Sequence, residues 1–129
     1  MIEQEVIRKE AQSIKPWLVE VRRDFHRHPE FGMEEFRTQG KIIEYLTDMG
    51  IHCEKEANTG VVGLIRGAKA GKTVALRADM DALPIDEQND VDYKSTIPGK
   101  MHACGHDAHM TVLLGAAKLL QDQKDHLSG

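Results

Sequence analysis

Eleven consecutive residues constrain this chain more than any others: Met101-His102-Ala103-Cys104-Gly105-His106-Asp107-Ala108-His109-Met110-Thr111. They hold three of the seven histidines and one of the two cysteines. The pair Pro98-Gly99 precedes them, and an apolar, helix-like run from Val112 to Leu120 follows. The cluster is expected on a loop feeding a helix, where side chains converge without entering a core. A thiolate beside imidazoles suits a borderline-soft divalent cation such as zinc, nickel or cobalt. In an extended segment Cys104 and His106 project to one side. Gly105 between them allows unusual backbone angles or close approach to an ion. Where the helix starts, His106 and His109 share a face. Asp107 falls in the first turn, where the helix dipole favours a carboxylate. Two ligands do not complete a zinc site, which takes three or four. A histidine-rich turn with an ordinary thiol is the plainer reading of a Cys-x-His pair taken alone.

A second cluster shifts that balance. Thr73-Val74-Ala75-Leu76-Arg77-Ala78-Asp79-Met80-Asp81 begins as a buried-looking strand and ends in two aspartates. On a strand, residues two apart lie on the same face. Two carboxylates held together repel unless they share a cation or a proton. Open α/β sheets also bind ligands at the carboxyl ends of their strands. Asp79 and Asp81 are therefore read as functional. Asp86, Glu87 and Asp90, in the irregular stretch that follows, are read as a solvated loop.

The rest of the chain reads as scaffold. Ile2, Val6, Ile7, Ile14, Leu18, Val21 and Phe25 follow a helical spacing, and Pro16 predicts a kink or a fresh start near Ser13 to Pro16. The helix should end before Pro29. The basic run Arg22, Arg23, His26, Arg27, His28 is read as helix-dipole compensation on a solvated face, with binding of a substrate carboxylate as the alternative. Glu34 to Met49 reads as an amphipathic helix with Phe36, Ile42, Ile43 and Leu46 on its apolar side, stopped by Gly50. Ile51 to Glu56 alternates like a strand, Asn58-Thr59-Gly60 is a turn, and Val61 to Arg66 is a buried strand. Cys53 is structural filler, and His52 points to the opposite face.

With 129 residues, 40% of them hydrophobic, the chain suffices for one small domain. A formal net charge of −4 argues against a nucleic-acid partner. The acidic start, Met-Ile-Glu-Gln-Glu, is not a signal peptide, and no stretch approaches membrane-spanning length. The expectation is a cytoplasmic protein with Cys53 and Cys104 both reduced.

A strand ending in Asp-x-Asp and a loop carrying Cys-x-His are parts of a hydrolytic metal site. Three stretches, in order, resemble motifs of one family: Arg22-Arg23-Asp24-Phe25-His26-Arg27-His28-Pro29-Glu30-Phe31-Gly32, Ala75 to Ile85, and Met101 to Thr111. That family is the metal-dependent amidohydrolases, which include hippurate hydrolase, N-acyl-amino-acid amidohydrolases, N-acetyldiaminopimelate deacetylase and plant auxin-conjugate hydrolases. The resemblance implies a zinc-peptidase-like, three-layer α/β catalytic domain. It implies hydrolysis of an N-acyl amino acid, a small-molecule substrate, to a carboxylic acid and an amino acid. It also implies divalent metal (zinc, manganese, nickel or cobalt), two ions per complete active site, and a homo-oligomer at full length.

Carried over residue by residue, Cys104 and His106 resemble metal ligands. Asp79 and Asp81 match the family's acidic strand end. More distant relatives have there a metal-ligating histidine and, two residues on, a supporting aspartate. On that alignment Asp79 replaces the histidine and Asp81 is the support, although assignments of the active-site aspartate also fall on Asp79. His109 belongs to the same motif as a residue behind the ligands or toward substrate. Family members are much longer. The resemblance therefore implies that residues 1–129 are the amino-terminal part of the catalytic domain. The general base, the remaining ligands and the dimerisation domain are absent, and the isolated chain is inactive. Two rival classes are a non-catalytic metal-binding or self-associating module, and thiol chemistry with Cys104 activated by His106 or His109.

Overall fold

The computed structural model describes residues 3–129, so Ile2 lies outside the described residues. Helix α1 spans Gln4–Ser13 and α2 spans Lys15–Arg27, with Ile14 between them and Pro16 in the first turn of α2. The break is a fresh start rather than a kink, because proline in a first turn forfeits no intrahelical hydrogen bond. Helix α2 stops at Arg27, two residues before Pro29. Helix α3, Phe36–Asp48, is followed by Met49 and by Gly50 at φ 71°, a left-handed angle that suits glycine. The Glu30 carboxylate closes the front of α3. It accepts from the Arg37 N–H at 3.0 Å and the Thr38 N–H at 2.6 Å, two donors that the helix leaves unpaired.

Strands β1, His52–Glu56, and β2, Gly60–Leu64, form an antiparallel hairpin with His52 opposite Leu64 and Glu56 opposite Gly60. Its turn is tied to α3: Gln39 Nε2 donates to the Asn58 and Gly60 carbonyls, and Thr59 Oγ1 donates to Glu35. Helix α4, His106–Asp122, closes the fold, followed by a short 3₁₀ turn at Lys124–His126. Val21 and Phe25 of α2, Leu46 of α3, Ile51, and Met110 and Leu114 of α4 form the buried core. Gly115 lets α4 approach α2: a Cβ there would lie 2.9 Å from Leu18 Cδ2. The architecture is mixed α/β. No helix among the described residues is long and apolar enough to cross a membrane.

Two expectations fail for one physical reason. The strand expected at Val61–Arg66 stops at Leu64 and is covered on one face only, leaving Val62 and Leu64 exposed. The strand expected at Thr73–Asp81 does not form, and Val74 and Leu76 are 79% and 56% exposed. A strand requires neighbours that accept and donate along its whole length. Among the described residues this segment has only isolated bridges on either side of it, Lys69 with Ser128 and Leu83 with Met101. Phe36, expected on the apolar side of α3, also faces outward.

Amide hydrogen exchange will report this contrast. Residues 73–78 should exchange at nearly unprotected rates, with Val21, Phe25 and Leu114 the slowest. Protection of 73–78 equal to that of the helices would contradict the fold described. Phe25→Ala should cost about 3–5 kcal/mol, read from chemical denaturation.

Candidate metal centre

Backbone hydrogen bonds bring the acidic segment to the histidine–cysteine loop. Leu83 N–H donates to the Met101 carbonyl at 2.9 Å, and Met101 N–H returns to Leu83 at 3.0 Å. Ala82 N–H donates to the Glu30 carbonyl at 2.8 Å. These three bonds fix the chain immediately after Asp81. Gly105, at φ 81°, then turns the chain into α4. His106 Nδ1 consequently lies 3.0 Å from Asp81 Oδ1 and 2.9 Å from the Asp81 carbonyl. Both partners are acceptors, so Nδ1 carries the proton and donates. In the neutral ring, Nε2 is then left with its lone pair, as a metal ligand requires. Cys104 is exposed and unpaired with Cys53.

The other expected site residues are placed differently. Asp79 is exposed and pairs with the Arg77 guanidinium, whereas Asp81 meets His106. The strand expected to carry both aspartates is absent. His109 is exposed, with its ring centroid 5.9 Å from that of His106. Among the described residues no group of three histidine, cysteine or carboxylate side chains converges to hold an ion.

Behind the loop lies a buried ionic cluster that reverses two readings from sequence. His26 is 3% exposed rather than solvated. Its Nδ1 is 2.8 Å from Asp107 Oδ2, and its Nε2 is 2.9 Å from Glu87 Oε1. Arg22 Nε donates to the same Asp107 oxygen at 3.0 Å. Glu87, expected in a solvated loop, is half-buried with its side chain covered, and also accepts from the Ser95 N–H at 2.6 Å. Asp107 is fully buried and paired, so more than the helix dipole fixes it. One signal in the sequence pointed this way. Arg22 and His26 are four apart and so share a helix face, next to the buried pair Val21 and Phe25. Nothing local marked Glu87.

Around this cluster, Glu87 and His102 have displaced pKa values. Burial works to raise that of Glu87, but the Ser95 N–H and His26 outweigh it, leaving the carboxyl below its ordinary value. Burial pushes His102 below its ordinary 6.5, against the opposing pull of Asp107. Neither ring nitrogen of His102 has a hydrogen-bond partner within the protein, and neither does Asp107 Oδ1. Both shifts have the same sign for stability. A depressed folded-state pKa means that the unfolded chain binds the proton first, so stability is lost as pH falls. The His102 contribution is intact above pH 6.5 and declines below it; that of Glu87 is intact above 4.5 and declines below that. Between pH 7.5 and 5.5 the urea midpoint of wild type should therefore fall relative to that of His102→Gln. Parallel midpoint profiles for the two proteins across this range would refute the assignment.

Known proteins resemble this chain in sequence and in fold. Residues 75–129 match the model of Peptidase family M20/M25/M40. The chain is 46% identical over 127 residues to thermostable carboxypeptidase 1 of Saccharolobus solfataricus, covering 97% of this chain and 32% of that protein. It is 39% identical over 126 residues to the N-acyl-L-amino acid amidohydrolase of Geobacillus stearothermophilus, covering 97% and 34%. The Bacillus subtilis YXEP protein, a dinuclear metal binding peptidase from the M20 family, superposes with a TM-score of 0.87 at 39% identity, over 92% of this chain and 34% of that one. The chain thus spans about a third of the length of the relatives it matches. In sequence and in fold the chain is thus similar to part of the M20 peptidases.

Proposed function

We propose that this chain contributes the first ligands of a metal-dependent amidohydrolase centre, which in the whole protein hydrolyses the amide bond of N-acyl amino acids of the hippurate type. The contact between Asp81 and His106 carries the reading. It joins residues 25 apart in sequence and leaves Nε2 of the imidazole free, two residues along the chain from the exposed Cys104. A carboxylate behind a histidine is the usual means of fixing a ligand's tautomer and raising its basicity. The donor set fits a divalent cation, with Cys104 and His106 as ligands and Asp81 as their support. When bound, such a cation supplies Lewis-acid polarisation of the amide carbonyl and acidification of water. Water adds to the carbonyl carbon, the C–N bond breaks, and the nitrogen gains a proton, giving a carboxylic acid and an amino acid.

Asp79 and Asp81 remain the candidate active-site aspartates. His109 stands beside His106 and serves behind the ligands or toward substrate. Asp107 is excluded as the general base, because a fully buried carboxylate already bound by Arg22 and His26 has no access to water. The dinuclear character of the YXEP protein supports two ions in the complete centre. The amidohydrolase relative supports the substrate class by its name.

Titration with Co²⁺ tests the reading through the thiolate-to-cobalt charge-transfer band. Cys104→Ser should abolish the band, and Asp81→Asn should weaken binding roughly 10–100-fold. A band unchanged in Cys104→Ser would defeat the ligand assignment. The 129-residue chain should release no benzoate from N-benzoylglycine. Chelator-sensitive turnover by this chain alone would overturn that part.

A further inference from the structure

We propose that His26 is a positioning residue for the Cys104/His106 pair, acting through Asp107 from the far side of the α4 N-terminus. The inference rests on the metal reading above and adds to it a residue outside the ligand loop. Both ring nitrogens of His26 face carboxylates, Asp107 Oδ2 at 2.8 Å and Glu87 Oε1 at 2.9 Å. An ionised carboxylate only accepts, so both nitrogens must donate. The ring and Arg22 together thus face two carboxylates, with His26 and Asp107 themselves buried. Removing one member strands a buried charge that the fold must move to accommodate.

The consequence for the ligands is geometric. Successive residues leave an α-helix about 100° apart. Clamping Asp107 onto α2 therefore sets the direction in which His106 leaves the same turn. His106 is then met by Asp81 on its own side. Two neighbouring residues are thus held from two distant parts of the chain, Asp107 by His26 and His106 by Asp81. Glu87 extends the clamp through its bond from the Ser95 N–H. Tyr93, from the same stretch, sets its ring edge-on to His26 at 5.7 Å. His26 itself lies beneath the surface and offers no free nitrogen, so its influence on a bound ion is one of placement.

Coupling of this kind is reciprocal: if the cluster favours metal binding, metal binding steadies the cluster by the same factor. That gives two independent measurements on the 129-residue chain. In Co²⁺ titrations, His26→Ala should bind at least about tenfold more weakly, with a displaced d–d spectrum. Arg37→Ala, which breaks the separate half-buried pair with Asp24, should keep wild-type affinity and spectrum although it also lowers stability. In wild type, saturating Zn²⁺ should slow the exchange of the His26 ring N–H protons seen by NMR. This second measurement needs no variant and decides the matter even if His26→Ala and His26→Gln fail to fold. Ring-proton exchange unchanged by Zn²⁺, or a folded His26 variant with wild-type cobalt affinity and spectrum, would overturn the proposal while leaving the ligand assignment intact. Failure of the wild-type chain to take up Co²⁺ at all would overturn both.

Discussion

The Asp107 carboxylate, fully buried at the start of α4, is the constraint around which the molecule is arranged. An ionised carboxylate without water must be matched in charge and in hydrogen bonds, or the fold that buries it is disfavoured. Arg22 and His26 supply the match from α2, and Glu87 balances the second positive charge from the far side of His26. Four residues drawn from three stretches of chain can satisfy one another in few arrangements. The cluster therefore fixes how α2, α4 and the loop beyond Ile85 meet.

Cohesion comes from a different source. Buried ion pairs recover little more than their own desolvation, so the cluster is weak as a stabiliser. Val21, Phe25, Leu46, Met110 and Leu114 supply the apolar burial between the same helices. Apolar contacts are tolerant of small rotations, whereas charged hydrogen bonds are not. The core holds α4 against α2, and the cluster selects the rotation at which it is held. Asp107 and His106 are neighbours, so that rotation passes directly to the ligand loop.

Much of this was legible in the sequence. The break at Pro16, the stop at Gly50, the hairpin turn and the loop-to-helix passage at Gly105 each follow from local backbone preference, and the structure has them all. Tertiary pairing was not legible in the same way. Glu87 carries no local mark that separates it from Asp86 and Asp90; only the arrival of His26, 61 residues away, makes it a buried partner. The basic run on α2 looked like dipole compensation because charge alone does not reveal which side of a helix is covered. Periodicity identified Thr73–Asp81 as strand-like, but a strand also needs neighbours, which a linear reading of one segment does not supply.

That last point explains why Asp79 and Asp81, alike in sequence, differ in the fold. The backbone is pinned from Ala82 onward, by Glu30 and by the paired bonds between Leu83 and Met101. Asp81 stands at the edge of the pinned part and meets His106, while Asp79 lies two residues upstream, in the unpaired stretch, beside Arg77. If sheet neighbours joined residues 73–79, Asp79 would share a fixed face with Asp81, because side chains two apart on a strand point the same way. The Asp81–His106 contact needs no such neighbours. The histidine–cysteine half of the centre is thus organised by the bonds of this chain alone, and the acidic half is organised only as far as Asp81.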